Sequence, residues 1–92
     1  MTVREAATTA RDYLTELAGQ EPVAMTSVEL TDDDGWVVEF DVLEERRIPS
    51  SSDILALYEV EIDADGELLA FRRTRRYLRG QTGRTNNGGE PT

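Results

Sequence analysis

Apolar residues near the start of the chain recur at steps of three and four: Val3, Ala6, Ala7, Ala10, Tyr13, Leu14 and Leu17. That spacing predicts an amphipathic helix with one apolar stripe, from which Arg4, Glu5, Asp12 and Glu16 point largely away. Thr2 and Glu5 have the spacing of a capping box, and Gly19 suits the left-handed residue that ends a helix. From Pro22 onward the period changes to two. "PVAMTSVEL" reads as a first strand, and "WVVEFDVLEE" as a second with Trp36, Val38, Phe40 and Val42 on one face. A three-residue loop Asp33-Asp34-Gly35, with Gly35 in the left-handed position, would set Leu30 opposite Val38 and Val28 opposite Phe40. "RRIPSSSD" reads as an exposed connection. "ILALYEVEID" resumes alternation with Ile54, Ala56, Tyr58, Val60 and Ile62 in line. A two-residue Asp65-Gly66 turn would then place Ile62 opposite Leu69, Val60 opposite Phe71 and Glu59 opposite Arg72.

The pattern predicts an α+β fold in which one N-terminal helix packs on a four-stranded antiparallel meander sheet. The last strand runs to Tyr77 or Arg79. Residues 80–92, "GQTGRTNNGGEPT", hold no apolar anchor and read as a flexible, disordered tail, leaving residues 1–79 as a single α+β domain. One helix can cover one sheet face only, so the other is left to water or a partner.

Composition narrows the chemistry. The 92 residues are 38% apolar and 32% charged, with a formal net charge of −9. The absence of Cys excludes disulfides and thiolate chemistry; the absence of His removes the commonest general base and transition-metal ligand. The chain shows no secretory leader pattern and no apolar run long enough to span a membrane, so a cytoplasmic location is expected. "TDDDG" lacks the twelve-residue ligand alternation of an EF-hand and is better read as a turn. "PSSSD" has no His or Lys to activate a serine. No catalytic residue, metal site or cofactor is expected.

Charge is unevenly placed. Residues 1–71 carry a net of −14, whereas "FRRTRRYLRG", residues 71–80, holds five arginines and no acid. Cross-strand pairs such as Glu59 with Arg72 would neutralise part of this run. Arg73 and Arg75 fall in line with Phe71 and Tyr77 on the helix-facing side; they either lie past the helix end with acids such as Asp12 or Glu16 as partners, or are turned outward by a bulge. The uncovered face would present Val37, Leu43, Leu55, Leu57 and Leu78 among Glu39, Asp41, Glu59, Glu61, Arg72 and Arg76. Apolar residues ringed by both signs of charge suit a protein docking surface. Nucleic acid is disfavoured, since the rest of the chain repels phosphate.

From Gly35 onward the chain resembles the gas vesicle accessory protein O family. The resemblance rests on "GW" at Gly35 and Trp36, the Glu44 to Asp53 loop with its "RIPSSSD", "LALYEVEID" at residues 55–63, "DGEL" at residues 65–68 and "RRTRRYLRG" at residues 72–80. It implies a small, non-enzymatic cytoplasmic accessory protein that assists gas vesicle assembly through contacts with other accessory or shell proteins. Leu43, Leu55, Leu57, Arg72, Arg73, Arg75, Arg76 and Tyr77 are the candidate partner-binding residues. The alternatives are a homodimer through the open face and a small regulatory or nucleic-acid-binding factor using the arginine-rich strand.

Overall fold

A computed structural model describes residues 1–81. Helix α1, Val3–Ala18, is followed by strands β1, Ala24–Leu30, β2, Trp36–Glu45, β3, Ile54–Ile62, and β4, Leu68–Leu78. The strands form one antiparallel sheet in the order β1-β2-β3-β4, and α1 packs on one face of it. Short 3₁₀ turns occupy Ser50–Ser52 and Arg79–Gln81. The last of these reaches into the expected tail, with the Gly80 backbone against Ser51; residues 82–92 lie outside the described residues.

The helix begins where its capping chemistry dictates. The Thr2 hydroxyl accepts from the Glu5 N–H at 3.1 Å, and the Glu5 carboxylate accepts from the Thr2 N–H at 2.8 Å, so two otherwise orphaned donors are satisfied reciprocally. Gly19, with φ of 76°, ends the helix. The buried stripe is Ala6, Ala10 and Leu14, flanked by Tyr13 and Ala18. Small alanines let the helix approach Trp36, Val38, Phe40, Val42, Val60 and Ile62 closely. The stripe is shorter than its periodicity suggests: Val3 and Leu17 are exposed, because a straight helix meets a twisted sheet only over its middle turns.

The hairpin between β1 and β2 pairs two residues out of the expected register, its turn lying one residue earlier in the chain. Leu30 faces Trp36 and Val28 faces Val38, while Met25 faces Phe40 past a bulge at Thr26. A two-residue shift keeps every side chain on its face, so alternation alone could not detect it. The left-handed residue is Asp34, with φ of 62°, and not Gly35. Thr31 holds the turn: its N–H donates to the Gly35 carbonyl and its hydroxyl accepts from the Gly35 N–H. Gly35 is required for another reason. A Cβ there would sit 2.4 Å from the Ile62 carbonyl oxygen on β3.

The hairpin between β3 and β4 pairs Val60 with Phe71 and Glu59 with Arg72 as expected, but Ile62 faces Leu68 instead of Leu69. The loop spans three residues with Gly66 at φ of 85°, and the Asp63 carboxylate accepts from the N–H groups of Asp65 and Glu67. A second irregularity matters more. Tyr58 faces Arg73 and Leu57 faces Arg75, so Thr74 is an extra residue in β4, and its hydroxyl donates to the Leu57 carbonyl.

Replacement of Gly35 by Ala should lower stability by about 1–3 kcal/mol, since backbone must move to admit the methyl group. Asp34→Gly should change it by less than about 1 kcal/mol, because relief of the left-handed penalty offsets the extra unfolded-state freedom. Urea denaturation midpoints of the two variants check this; the reverse ranking would contradict the close approach of Gly35 to the Ile62 carbonyl.

Candidate functional site: the arginine strand and the two faces of the sheet

The Thr74 bulge divides the arginine run between faces. Directly opposed residues of an antiparallel pair share a face. Before the bulge Arg73 sits opposite Tyr58 on the helix side; beyond it Arg76 and Leu78 sit opposite Ala56 and Ile54 on that same side. Arg75 and Tyr77, opposite Leu57 and Leu55, are turned to the outer face together with Arg72. Of the alternatives for Arg73 and Arg75, the bulge applies to Arg75 alone, which turns outward with Tyr77, while Arg73 stays on the helix side and Arg76 and Leu78, expected outward, face in.

On the helix side the arginines converge on Glu44 and not on the helix acids Asp12 or Glu16. Arg73 Nη1 lies 3.1 Å and Arg76 Nε 2.9 Å from the Glu44 carboxylate, and the Tyr58 hydroxyl donates to it at 2.9 Å. Burial by itself disfavours charge on Glu44; the hydrogen bonds from Tyr58 and Arg73 and the charges of Arg73 and Arg76 outweigh it and hold the carboxyl below its ordinary value. The same burial, with the Glu44 carboxylate beside it, raises the Tyr58 phenol. Glu44 is on β2 and both arginines on β4, so the pairs span β3.

A second link spans β3 on the outer face. The Tyr77 hydroxyl donates to Asp41 Oδ1 on β2, and the Arg75 guanidinium lies 5.1 Å from the centre of the Tyr77 ring. Burial and then the Asp41 hydrogen bond raise the Tyr77 phenol. Asp41 faces Leu57 and Tyr77 faces Leu55, so the ring crosses β3 between these leucines. This explains why Leu55, expected to be open to a partner, is only 3% exposed. Leu57, Leu43 and Val37 are half-buried. Arg72 pairs with Glu59 at 2.6 Å, as the sequence suggests, with Glu61 at 3.9 Å.

Asp53 was not legible as a structural residue. It is 2% exposed and anchors residues 46–53: Oδ1 accepts from the Arg47 N–H at 2.6 Å and Oδ2 from Arg79 Nε at 3.2 Å. The Arg47 N–H is the main influence that holds its carboxyl below the usual range; Arg79 adds to it against the opposing effect of burial. Nothing in the local spacing joins Asp53 to Arg79. Glu44 did carry a signal, being in phase with Phe40 and Val42 at the end of an apolar run.

Among the described residues no group of three carboxylates is placed to hold a metal ion, and no helix is long and apolar enough to cross a membrane. The arrangement contains ion pairs, a guanidinium stacked on an aromatic ring and a half-covered apolar face.

Over residues 1–83 the chain matches the family described as gas vesicle synthesis protein GvpO. The chain belongs to this family. It is 49% identical over 72 residues to gas vesicle protein O of Streptomyces sp. (strain CB03234), covering 78% of this chain and 56% of that one. Identity to gas vesicle protein O of Haloferax mediterranei is 31% over 71 residues, 77% of this chain and 51% of the relative. With gas vesicle protein O1 of Halobacterium salinarum it is 30% over 79 residues, 86% and 66% respectively. The chain thus spans about half to two thirds of the length of the curated relatives it matches. No solved structure matches it. The GvpO match includes every residue of the Glu44 and Tyr77 links.

Linkage gives the Glu44 cluster a pH signature. Its folded-state pKa is lowered, so its contribution is present above the ordinary carboxylate range and is lost as pH falls through the depressed folded value. Wild type should exceed Glu44→Gln in stability by about 1 kcal/mol at pH 7, a modest figure because both guanidinium partners are half exposed. The gap should hold down to about pH 5 and shrink below about pH 4. Urea titrations of both proteins from pH 3 to pH 7 check this, since the other carboxylates cancel in the comparison; a gap independent of pH would contradict it.

Proposed function

We propose that this protein takes part in gas vesicle formation as a non-enzymatic accessory component that docks another gas vesicle protein on the outer face of its sheet. Family membership supports the gas vesicle role. The docking mode rests on one observation: α1 covers one face of the sheet, and no described helix packs on the other, where Val37, Leu43 and Leu57 are half-buried beside the Arg75–Tyr77 stack. A rigid aromatic ring and a guanidinium over an apolar floor is a composition that recurs at the energetic centres of protein interfaces.

The division of the arginines sharpens the candidate surface. Arg73 and Arg76, tied to Glu44 on the helix side, serve the fold in this reading. Arg75 forms no ion pair among the described residues, so its charge is available to an acidic group of a partner. Arg72 and the rim acids Glu59 and Glu61 fix orientation, and Leu55 contributes from beneath as support for the Tyr77 ring. The nucleic-acid alternative has less to stand on, since Arg72, Arg73, Arg76 and Arg79 each engage a carboxylate of the chain itself.

Copurification of the tagged protein with co-expressed gas vesicle proteins tests the reading. Arg75→Glu, at an exposed position, should reduce recovery of the partner roughly tenfold, whereas Arg73→Gln on the opposite face should leave it within about twofold. Undiminished recovery with Arg75→Glu, in a variant whose circular dichroism matches wild type, would remove the outer face from the interface.

A further inference from the structure

A single exposed apolar residue on a small protein needs no explanation, but Ile48 is exposed in unusual circumstances. It is 99% exposed, at the tip of a segment fixed from within. The buried Asp53 carboxylate grips the Arg47 N–H and the Arg79 guanidinium, the Arg79 N–H donates to the Asp53 carbonyl, and the Ser52 and Asp53 N–H groups close turns onto Pro49 and Ser50. Arg46 and Arg47 immediately precede Ile48. Arg47 is paired with Glu45 at 2.9 Å, and Arg46 forms no ion pair among the described residues. The result is an apolar knob with basic residues on its N-terminal side, held in advance of any contact, which lowers the ordering cost of inserting it.

The same molecule carries a matching recess elsewhere. Between α1 and the edge strand β1 lies an open groove of about 300 Å³, lined by Ala7, Pro22, Val23, Ala24, Met25 and Phe40. Val23 and Met25 are half exposed there. The groove shares Thr8 and Arg11 with an adjoining shelf that carries Asp12, Glu16 and Glu21. Arg11 pairs with Glu21 at 2.9 Å, which leaves the shelf acidic. Its volume exceeds that of one branched side chain.

We propose that this protein self-associates head to tail, with Ile48 of one copy seated in the α1–β1 groove of the next and Arg46 and Arg47 against the acidic shelf. The occupant is a second copy because knob and recess are complementary in both polarity and charge sign. The two surfaces differ, so the contact is heterologous: it leaves one free knob and one free groove at the ends and extends to rings or open chains, not to a closed two-fold dimer. The net charge of −9 opposes this at low salt. At about 0.15 M salt the screening length is about 8 Å, which suppresses the long-range repulsion and retains the contact pairs. The outer face used in the preceding section is not involved, so failure of one proposal leaves the other standing.

Sedimentation velocity over a range of concentrations, at 0.15 M salt, tests it with two variants. Wild type should show mass increasing with concentration. Ile48→Glu and Val23→Glu, each with wild-type circular dichroism, should weaken association roughly tenfold or more. An equimolar mixture of the two should form a 1:1 dimer that grows no further, since one variant supplies an intact groove and the other an intact knob. Monomeric wild type at all concentrations, association unaffected by Ile48→Glu, or a mixture no heavier than its components would each overturn the proposal.

Discussion

One extra residue in the last strand governs how this protein uses its positive charge. Without the bulge at Thr74, Arg75 and Tyr77 would face the helix side, and Arg76 would face out. With it, Arg76 joins Arg73 on the helix side, where β2 offers Glu44, and Tyr77 turns to the outer side, where β2 offers Asp41. The two links run over opposite faces of β3 and fasten β4 to β2. A long, charged edge strand, the element of a small sheet most prone to fray, is held in this way without further apolar mass.

The sheet is consequently stabilised by different physics at its two ends. Under the helix, alanines admit a close approach to Trp36, Val38, Phe40, Val60 and Ile62, and burial of apolar surface dominates. At the other end Ala56 is fully buried outside that core, flanked across the sheet by Val42 and Arg76. Here polar links substitute for helix cover. Each exposed pair contributes little alone, but Glu44 is 15% exposed and collects two guanidiniums and a phenol, so the cluster acts as a unit. In each pair along β4 the carboxylate is more deeply placed than the guanidinium, and the edge therefore shows donors to solvent although the molecule as a whole is acidic.

The sequence was most readable where a repeating pattern met a large energetic consequence. The helix, the four strands and the faces of β2 and β3 follow from periods of 3.6 and 2 and the capping box from its residue types, whereas the Val60–Phe71 and Glu59–Arg72 pairs hold although the turn is one residue longer than expected, because Leu69 is an extra residue that restores the register. What it could not place are single-residue insertions. The β1–β2 hairpin differs by two residues, which costs nothing in facing, and Asp34 takes a conformation that Gly35 would have occupied more easily had Gly35 not been needed against Ile62. The Thr74 bulge breaks a run of polar residues, in which alternation carries no hydrophobic signal to mark the change of face. Glu44 and Asp53 act across 29 and 26 residues of chain, beyond any local spacing. Of the candidate residues, Leu55 proved to be covered and Arg73 and Arg76 to lie away from Arg75 and Tyr77.

The distribution of the arginine strand between faces is most directly measured by nuclear Overhauser contacts. The account predicts cross-peaks from the Tyr77 ring to the Leu55 and Leu57 methyl groups, and from the Arg76 side chain to the Tyr58 ring. Contacts of the Tyr77 ring with Ile54 and Ala56, together with contacts of Arg76 with Leu55, would show β4 running without the bulge and would contradict it.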